Sequence, residues 1–293
     1  MIVVTTPTGS IGHQTLAHVI EAGEQVRVIA RDPSRLPGEV RARVEVVKGS
    51  TKDPAVVSEA LAGADSVLWV LPPDPSAPSL HAHVMDFTRP LCDAVAAHGV
   101  PRVVAVSSLG RGVARNAGQI SAVFAMDHLV ESTGVHYRSL AMPGFMENML
   151  RQVHPLTTQG AFYGTLPAGR KAPTVATRDI AATAARLLTD HGWTGQREVP
   201  LPGPEDLSPD DQARIMSEVL GRPISYRRVP DEALASDLVS RGMSPAWARG
   251  LVGMSAAVDA GIYDAAPFPD RAAATPTTFR QWCQDTLLPA VTG

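Results

Sequence analysis

The 293-residue chain predicts an α/β fold: a doubly wound parallel sheet followed by a smaller, mostly helical C-terminal lobe. Three observations predict it. A β-branched apolar run over residues 2–5 leads through a Gly-containing turn into a helical pattern. Strand-like and helix-like runs then alternate through the first half, the rhythm of βαβ units. Beyond Pro202 the pattern is mostly helical, and helix starts are marked by Ser-Pro or Thr caps.

The first strand, over 2–5, ends at Pro7-Thr8-Gly9-Ser10, and a helix is expected over 13–22 with Leu16, Val19 and Ile20 on one face. Strands follow over 26–30 and 44–47, then a helix over 54–62 behind Asp53. The run 66–71 is nearly all apolar, as in a strand covered on both faces, and Pro72-Pro73 stops it for want of N–H donors. A Pro-rich loop to Pro78 precedes a helix over 80–98, a strand over 103–107, a helix over 123–133 and a strand over 137–141. Residues 145–153 and 179–188 carry helical patterns. Ser208-Pro209 opens a helix closed by Gly221, Ser244-Pro245 opens another to about 262, and a last helix starts at Thr277 or Thr278. The expected division is a nucleotide-binding domain over 1–147, to which 173–200 returns. Residues 148–172 and 201–293 form a lobe over the carboxyl ends of the strands, where ligands bind in such sheets.

Composition narrows the function. A net charge of −3 gives no basic footprint for nucleic acid. No apolar run approaches the ~20 residues of a membrane span. The N-terminus begins on a strand with no export signal, so a cytoplasmic location is expected. Cys92 and Cys283 lack metal-ligand spacing and are read as free thiols in a reducing compartment. His128 with Glu131, and His81 with His83, do not assemble a ligand set, so no metal is expected. No G-x-S-x-G elbow, H-E-x-x-H motif or P-loop lysine is present, which excludes those hydrolase and NTPase classes.

A strand, a glycine turn and a helix N-terminus in that order make a phosphate cradle, because free N–H groups and the helix dipole converge on an anion. A G-x-x-G-x-x-G fingerprint would put glycine at 6, 9 and 12; Gly9 and Gly12 are present and Thr6 replaces the first. Thr6, Thr8, Gly9, Ser10, Ile11 and Gly12 are the expected cofactor contacts, with the two Thr hydroxyls as further donors. After the second strand stands Arg31, with Arg35 behind it. A base there accommodates a 2′-phosphate, so NADP(H) is preferred over NAD(H), and Asp32 is the residue that opposes this.

Several segments resemble the NmrA-like family of atypical short-chain dehydrogenases/reductases. They are Val28-Ile-Ala-Arg-Asp-Pro33, Gly63-Ala-Asp-Ser-Val67, Gly99-Val-Pro-Arg-Val-Val104, Ser107-Ser108, Pro143-Gly-Phe-Met-Glu-Asn-Met149, Pro202-Gly-Pro-Glu-Asp-Leu-Ser208 and Glu218-Val-Leu-Gly-Arg-Pro223. The resemblance covers essentially the whole chain. It implies a Rossmann-type domain that binds NAD(P)(H), and it adds Ser50, Leu71, Pro72, Ser107, Pro143, Gly144 and Phe145 to the cofactor contacts. Ser50 stands where relatives often carry an Asp near the adenine. The Tyr-x-x-x-Lys pair of classical reductases falls on Val123 and Asp127, which cannot act as that pair.

The catalytic candidates are therefore Ser108, at the end of the fifth strand, and Asp127. Phe145, Met146, Met149, Tyr163 and Trp247 are the expected substrate contacts, with Met254 and Phe268 as further apolar candidates. The expected function is an NADP(H)-dependent oxidoreductase of secondary metabolism. It would transfer hydride to a small conjugated substrate (a quinone, enone or aromatic polyketide-like compound) without the Tyr/Lys pair. Two alternatives stay open: a non-catalytic NAD(P)(H)-sensing regulator, and a cofactor-free non-redox enzyme on the same fold. A small molecule is the expected partner, and a homodimer is left open.

Overall fold

The computed structural model describes residues 1–264, 268 and 271–293. Six strands come first: β1 (Ile2–Thr5), β2 (Val26–Ala30), β3 (Glu45–Lys48), β4 (Ser66–Trp69), β5 (Arg102–Ser108) and β6 (His136–Met142). They alternate with α1 (Ser10–Glu21), α2 (Gly38–Arg41), α3 (Pro54–Leu61), α4 (Leu80–His98) and α5 (Gln119–Ser132). Then follow β7 (Gly144–Phe145), α6 (Val153–Gln159), β8 (Ala161–Gly164), β9 (Ala172–Val175), α7 (Thr177–Thr189) and β10 (Gln196–Pro200).

Seven strands form one parallel sheet in the order β10-β6-β5-β4-β1-β2-β3. The order reverses between β1 and β4, which opens a crevice at their carboxyl ends. All four residues of β1 and of β4 are buried, because helices cover both faces. Ile2 and Val4 join the layer under α1 and α7, whereas Val3 joins the layer under α3, α4 and α5. That is the period-two alternation of a strand. The fold is thus Rossmann-like, with a largely helical C-terminal region.

That region contains β11 (Asp206–Leu207), α8 (Pro209–Leu220), β12 (Ser225–Arg228), α9 (Asp231–Ser240), α10 (Pro245–Asp259), α11 (Arg271–Ala274), α12 (Phe279–Trp282) and α13 (Leu288–Thr292). Ser208 caps α8 through a capping box with Asp211, and Ser244 caps α10. Its core is built on Met146, Leu156, Phe162, Met216, Phe279 and Trp282. A second cluster, including Leu109, Ile120, Phe124, Val258, Ile262 and Tyr263, seals α10 and its C-terminal turn against α5 and the ends of β5 and β6. Small strands add detail that a helical reading misses, in the order β11-β9-β7 and in the pair β12-β8.

Two expectations are corrected. Residues 145–153 are not one helix: β7 is followed by 3₁₀ turns over Met146–Gln152 and only then by α6. Pairing of Gly144 with Thr174 and of Phe145 with Val175 holds the start extended, so a tertiary ladder overrides the local pattern. The fourth strand ends at Trp69, short of residue 71, since the Val70 N–H turns to the Thr5 hydroxyl (2.9 Å) and leaves the ladder.

Candidate functional site

The turn after β1 is closed by its own backbone. Thr6 is in the left-handed region at φ 49°, and its carbonyl accepts the Gly9 N–H at 2.9 Å. A Cβ on residue 12 would overlap that same carbonyl, so only glycine lets α1 start there. The His13 N–H donates to the Gly9 carbonyl at 2.9 Å as the helical ladder begins, which leaves the preceding N–H groups of Ser10, Ile11 and Gly12 without intrahelical acceptors. Gly9, the N-cap, has no side chain to cap them. The Thr6 hydroxyl oxygen is buried with no hydrogen-bond partner. Free N–H groups at a helix N-terminus behind a glycine turn fit a diphosphate. Thr5 fixes the crevice wall: its hydroxyl donates to the Leu68 carbonyl and accepts the Val70 N–H, each at 2.9 Å.

At the end of β2 the charges separate. Asp32 caps the 3₁₀ turn Pro33–Arg35, accepting from the Ser34 hydroxyl at 2.6 Å and its N–H at 3.0 Å. These bonds hold the Asp32 carboxyl below the usual carboxylate range. Arg31 and Arg35 are exposed and form no ion pair among the described residues. Lys48, in register with Ala30 at the end of β3, adds a third cation near Asp32. Sequence reasoning missed Lys48, because only strand pairing places it there. Ser50 lies in the next turn, where its hydroxyl accepts the Lys52 N–H at 3.2 Å.

Leu71 and Pro72 follow β4 at the crevice. The Pro72 carbonyl meets His83 Nε2 at 2.9 Å, and the His83 ring packs edge-on against Trp247 with centroids 5.5 Å apart. Trp247 therefore sits at the seam between α4 and α10 and is not among the residues lining the lobe cavity described below.

Asp127, expected as a catalytic candidate, has no exposed surface. One carboxylate oxygen accepts from the Tyr137 hydroxyl at 2.6 Å; the other accepts from Ser107 and Ser139 and pairs with Arg111 at 3.1 Å. Burial raises its pKa, against the pull of the Ser107, Tyr137 and Arg111 hydrogen bonds. This corrects the expectation of a free catalytic carboxylate: both oxygens are engaged within the protein, and Asp127 ties β5 and β6 to the Arg111 loop. Ser107 is turned to the same network. Ser108 remains, its hydroxyl donating to the Leu109 carbonyl at 3.0 Å, and Tyr263 belongs to the same buried cluster as Leu109. Burial pushes the Tyr263 phenol upward. No local signal pointed to Tyr263, since it reaches β5 only through the docking of α10.

Pro143 leaves β6, and the next two residues, Gly144 and Phe145, enter the wall of a cavity of about 280 Å³ in the lobe. Met146, Met149 and Tyr163 line it too, so four of the five predicted substrate residues come together. Phe162, Tyr226 and Phe279 were missed, because lobe packing alone brings them in. Met254 and Phe268 pack instead against the seam cluster. Among the described residues no group of three His, Cys, Asp or Glu side chains stands together to hold a metal. None of the described helices is long and apolar enough to cross a membrane. Both cysteines are free and buried, and burial pushes each thiol up to about 12.

A parallel sheet with a phosphate cradle at its switch point, and an apolar cavity beyond β6, define the Rossmann-type α/β class. Within that class the chain belongs to the NmrA-like family, whose model matches residues 1–258. It is 32% identical over 250 residues to the (4-alkanoyl-5-oxo-2,5-dihydrofuran-3-yl)methyl phosphate reductase of Streptomyces griseus, covering 84% of this chain and 83% of that one. It is 30% identical over 275 residues to the NAD(P)H azoreductase of Xenophilus azovorans, covering 91% and 92%. The fold is shared with an NADPH-dependent quinone oxidoreductase of Escherichia coli solved with NADPH. There the TM-score is 0.79 at 22% identity, covering 96% of this chain and 98% of that one.

Proposed function

We propose that the chain is an NADPH-dependent oxidoreductase that reduces a small conjugated acceptor such as a quinone or enone. The observation that carries the reading is the set of free N–H groups of Ser10, Ile11 and Gly12 at the start of α1, behind a turn that closes only on glycine at position 12. The kinship with NAD(P)H-dependent reductases supports it, as does a relative whose substrate is a furanone, a conjugated carbonyl. Arg31, Arg35 and Lys48 favour the 2′-phosphate of NADPH, while Ser34 keeps the Asp32 carboxylate engaged.

Bound NADPH supplies the hydride, and the chain supplies orientation and a proton. The cradle holds the diphosphate. Phe145 and the lobe wall face the acceptor. Ser108 stands at the end of β5, with Tyr263 in the buried cluster beside it, and gives the proton that balances reduction of a conjugated C=C. Delocalisation in such an acceptor makes a weak acid sufficient, which accounts for the missing Tyr-x-x-x-Lys pair.

Oxidation of NADPH, followed with a panel of quinones and enones, tests this reading. Turnover with at least one acceptor is expected. Binding of NADPH without any turnover would favour the sensing alternative, and absence of binding the cofactor-free one.

A further inference from the structure

We infer that the acceptor taken by the lobe cavity is an uncharged molecule, held by amide and hydroxyl groups and not by an ion pair. The inference rests on the proposal that this cavity is where the acceptor sits. None of the residues lining the cavity is Asp, Glu, Lys, Arg or His. Its apolar surface comes from Phe145, Met146, Met149, Phe162, Leu166 and Phe279. At about 280 Å³ it lies just below the usual range of small-molecule pockets, which suits a small acceptor.

Most polar groups on the wall already have partners. The Tyr163 hydroxyl donates to Gln159 Oε1, and Gln152 grips the Tyr163 backbone through both ends of its amide (2.7 and 3.3 Å). The Tyr226 hydroxyl donates to the Leu166 carbonyl at 2.8 Å, and the Thr165 and Ser255 hydroxyls meet at 2.6 Å. Arg228 is not a wall residue, and its Nε donates to the Thr165 carbonyl at 2.9 Å. The side chains of Asn148, Thr174 and Gln212 line the cavity and make no hydrogen bond among the described residues. These three can meet carbonyl or hydroxyl oxygens. They cannot neutralise a phosphate or carboxylate, and an anion moved from water into such a wall loses its hydration with no counter-charge to replace it. The relative from Streptomyces griseus acts on a phosphate ester. This chain shares its fold and family, and by this inference it does not share the charge of that substrate.

The test uses a matched pair: a 4-alkanoyl-3-(hydroxymethyl)furanone and its phosphate ester, titrated calorimetrically into the full chain with and without NADP⁺. The neutral compound is expected to bind at least about 30-fold more tightly. Equal or tighter binding of the phosphate, or binding of neither compound, overturns the inference. Gln212→Lys places a cation on the wall at a half-exposed position of α8, and is expected to narrow the gap at least about tenfold. An unchanged gap in that variant also overturns it, since the compounds would then not meet this wall. Turnover is read separately. Preferential binding of the neutral compound with no NADPH oxidation upholds the uncharged pocket and contradicts the reductase reading alone.

Discussion

The carbonyl of Thr6 occupies the space in which a side chain on Gly12 would begin, so the turn after β1 closes over α1 only while residue 12 is glycine. Gly12→Ala must push the two apart and open the cradle. Chemical denaturation is expected to show a loss of about 1–3 kcal/mol, the usual cost of overpacking. NADPH binding should be lost with it, read by quenching of protein fluorescence.

Thr6 itself holds a strained conformation and an unsatisfied hydroxyl. Thr6→Gly relieves the left-handed strain, and stability is expected to rise by up to about 1 kcal/mol. The same change removes a phosphate donor, so NADPH affinity should fall several-fold. A variant that is more stable and also binds NADPH more tightly would show that the hydroxyl does not serve the cofactor.

In the proposed reductase Arg31 and Arg35 carry the choice between cofactors. The double variant Arg31→Ala/Arg35→Ala is expected to weaken NADPH binding about 10–100-fold, a charge-assisted contribution of about 1.5–3 kcal/mol. NADH binding should be unchanged, because the cradle is intact. Parallel titrations with the two cofactors measure both.

In the proposed reaction Tyr263, in the buried cluster beside Ser108, supports it as the proton source. Tyr263→Phe keeps the ring in the seam and removes only the hydroxyl. The kcat for an enone is expected to fall at least about tenfold, with the KM for NADPH unchanged. Burial holds the Tyr263 pKa above 10.0, so its proton is retained at neutral pH. The wild-type kcat should then show no loss from Tyr263 ionisation between about pH 6 and 9.

Acid stability has an identifiable contributor in Asp206, whose two oxygens take hydrogen bonds from Arg271 at 2.7 and 3.0 Å. Those bonds lower the Asp206 pKa below 3.8. A carboxyl depressed in the folded state stabilises above its unfolded pKa, and that stability disappears as pH falls through the folded value. In Asp206→Asn this acid-sensitive portion is absent. The Tm gap between wild type and variant should shrink below about pH 4, and since the pair is half exposed the gap corresponds to about 1 kcal/mol at most.

The elements that position the crevice were legible because their signals are local. β1 and β4 are short apolar runs bounded by turn residues, and Gly12 marks a helix start. The Ser-Pro caps at 208–209 and 244–245 open helices as expected. What was not legible depends on distant pairing. Lys48 reaches the end of β2 through strand register, Tyr263 reaches the cluster at the end of β5 through the docking of α10, and residues 144–145 are held extended by β9. Asp127 illustrates the converse. Its position on α5 suggested chemistry, and only the convergence of Ser107, Tyr137, Ser139 and Arg111 on its carboxylate shows a structural role.

In the proposed reductase the cradle after β1 holds NADPH, and Arg31, Arg35 and Lys48 read its 2′-phosphate. Side-by-side calorimetric titration of the purified chain with NADPH and NADH tests it most directly. Saturable binding of NADPH is expected, at least about tenfold tighter than that of NADH, a difference of about 1.4 kcal/mol. Equal affinities, or no heat with either cofactor, would contradict it.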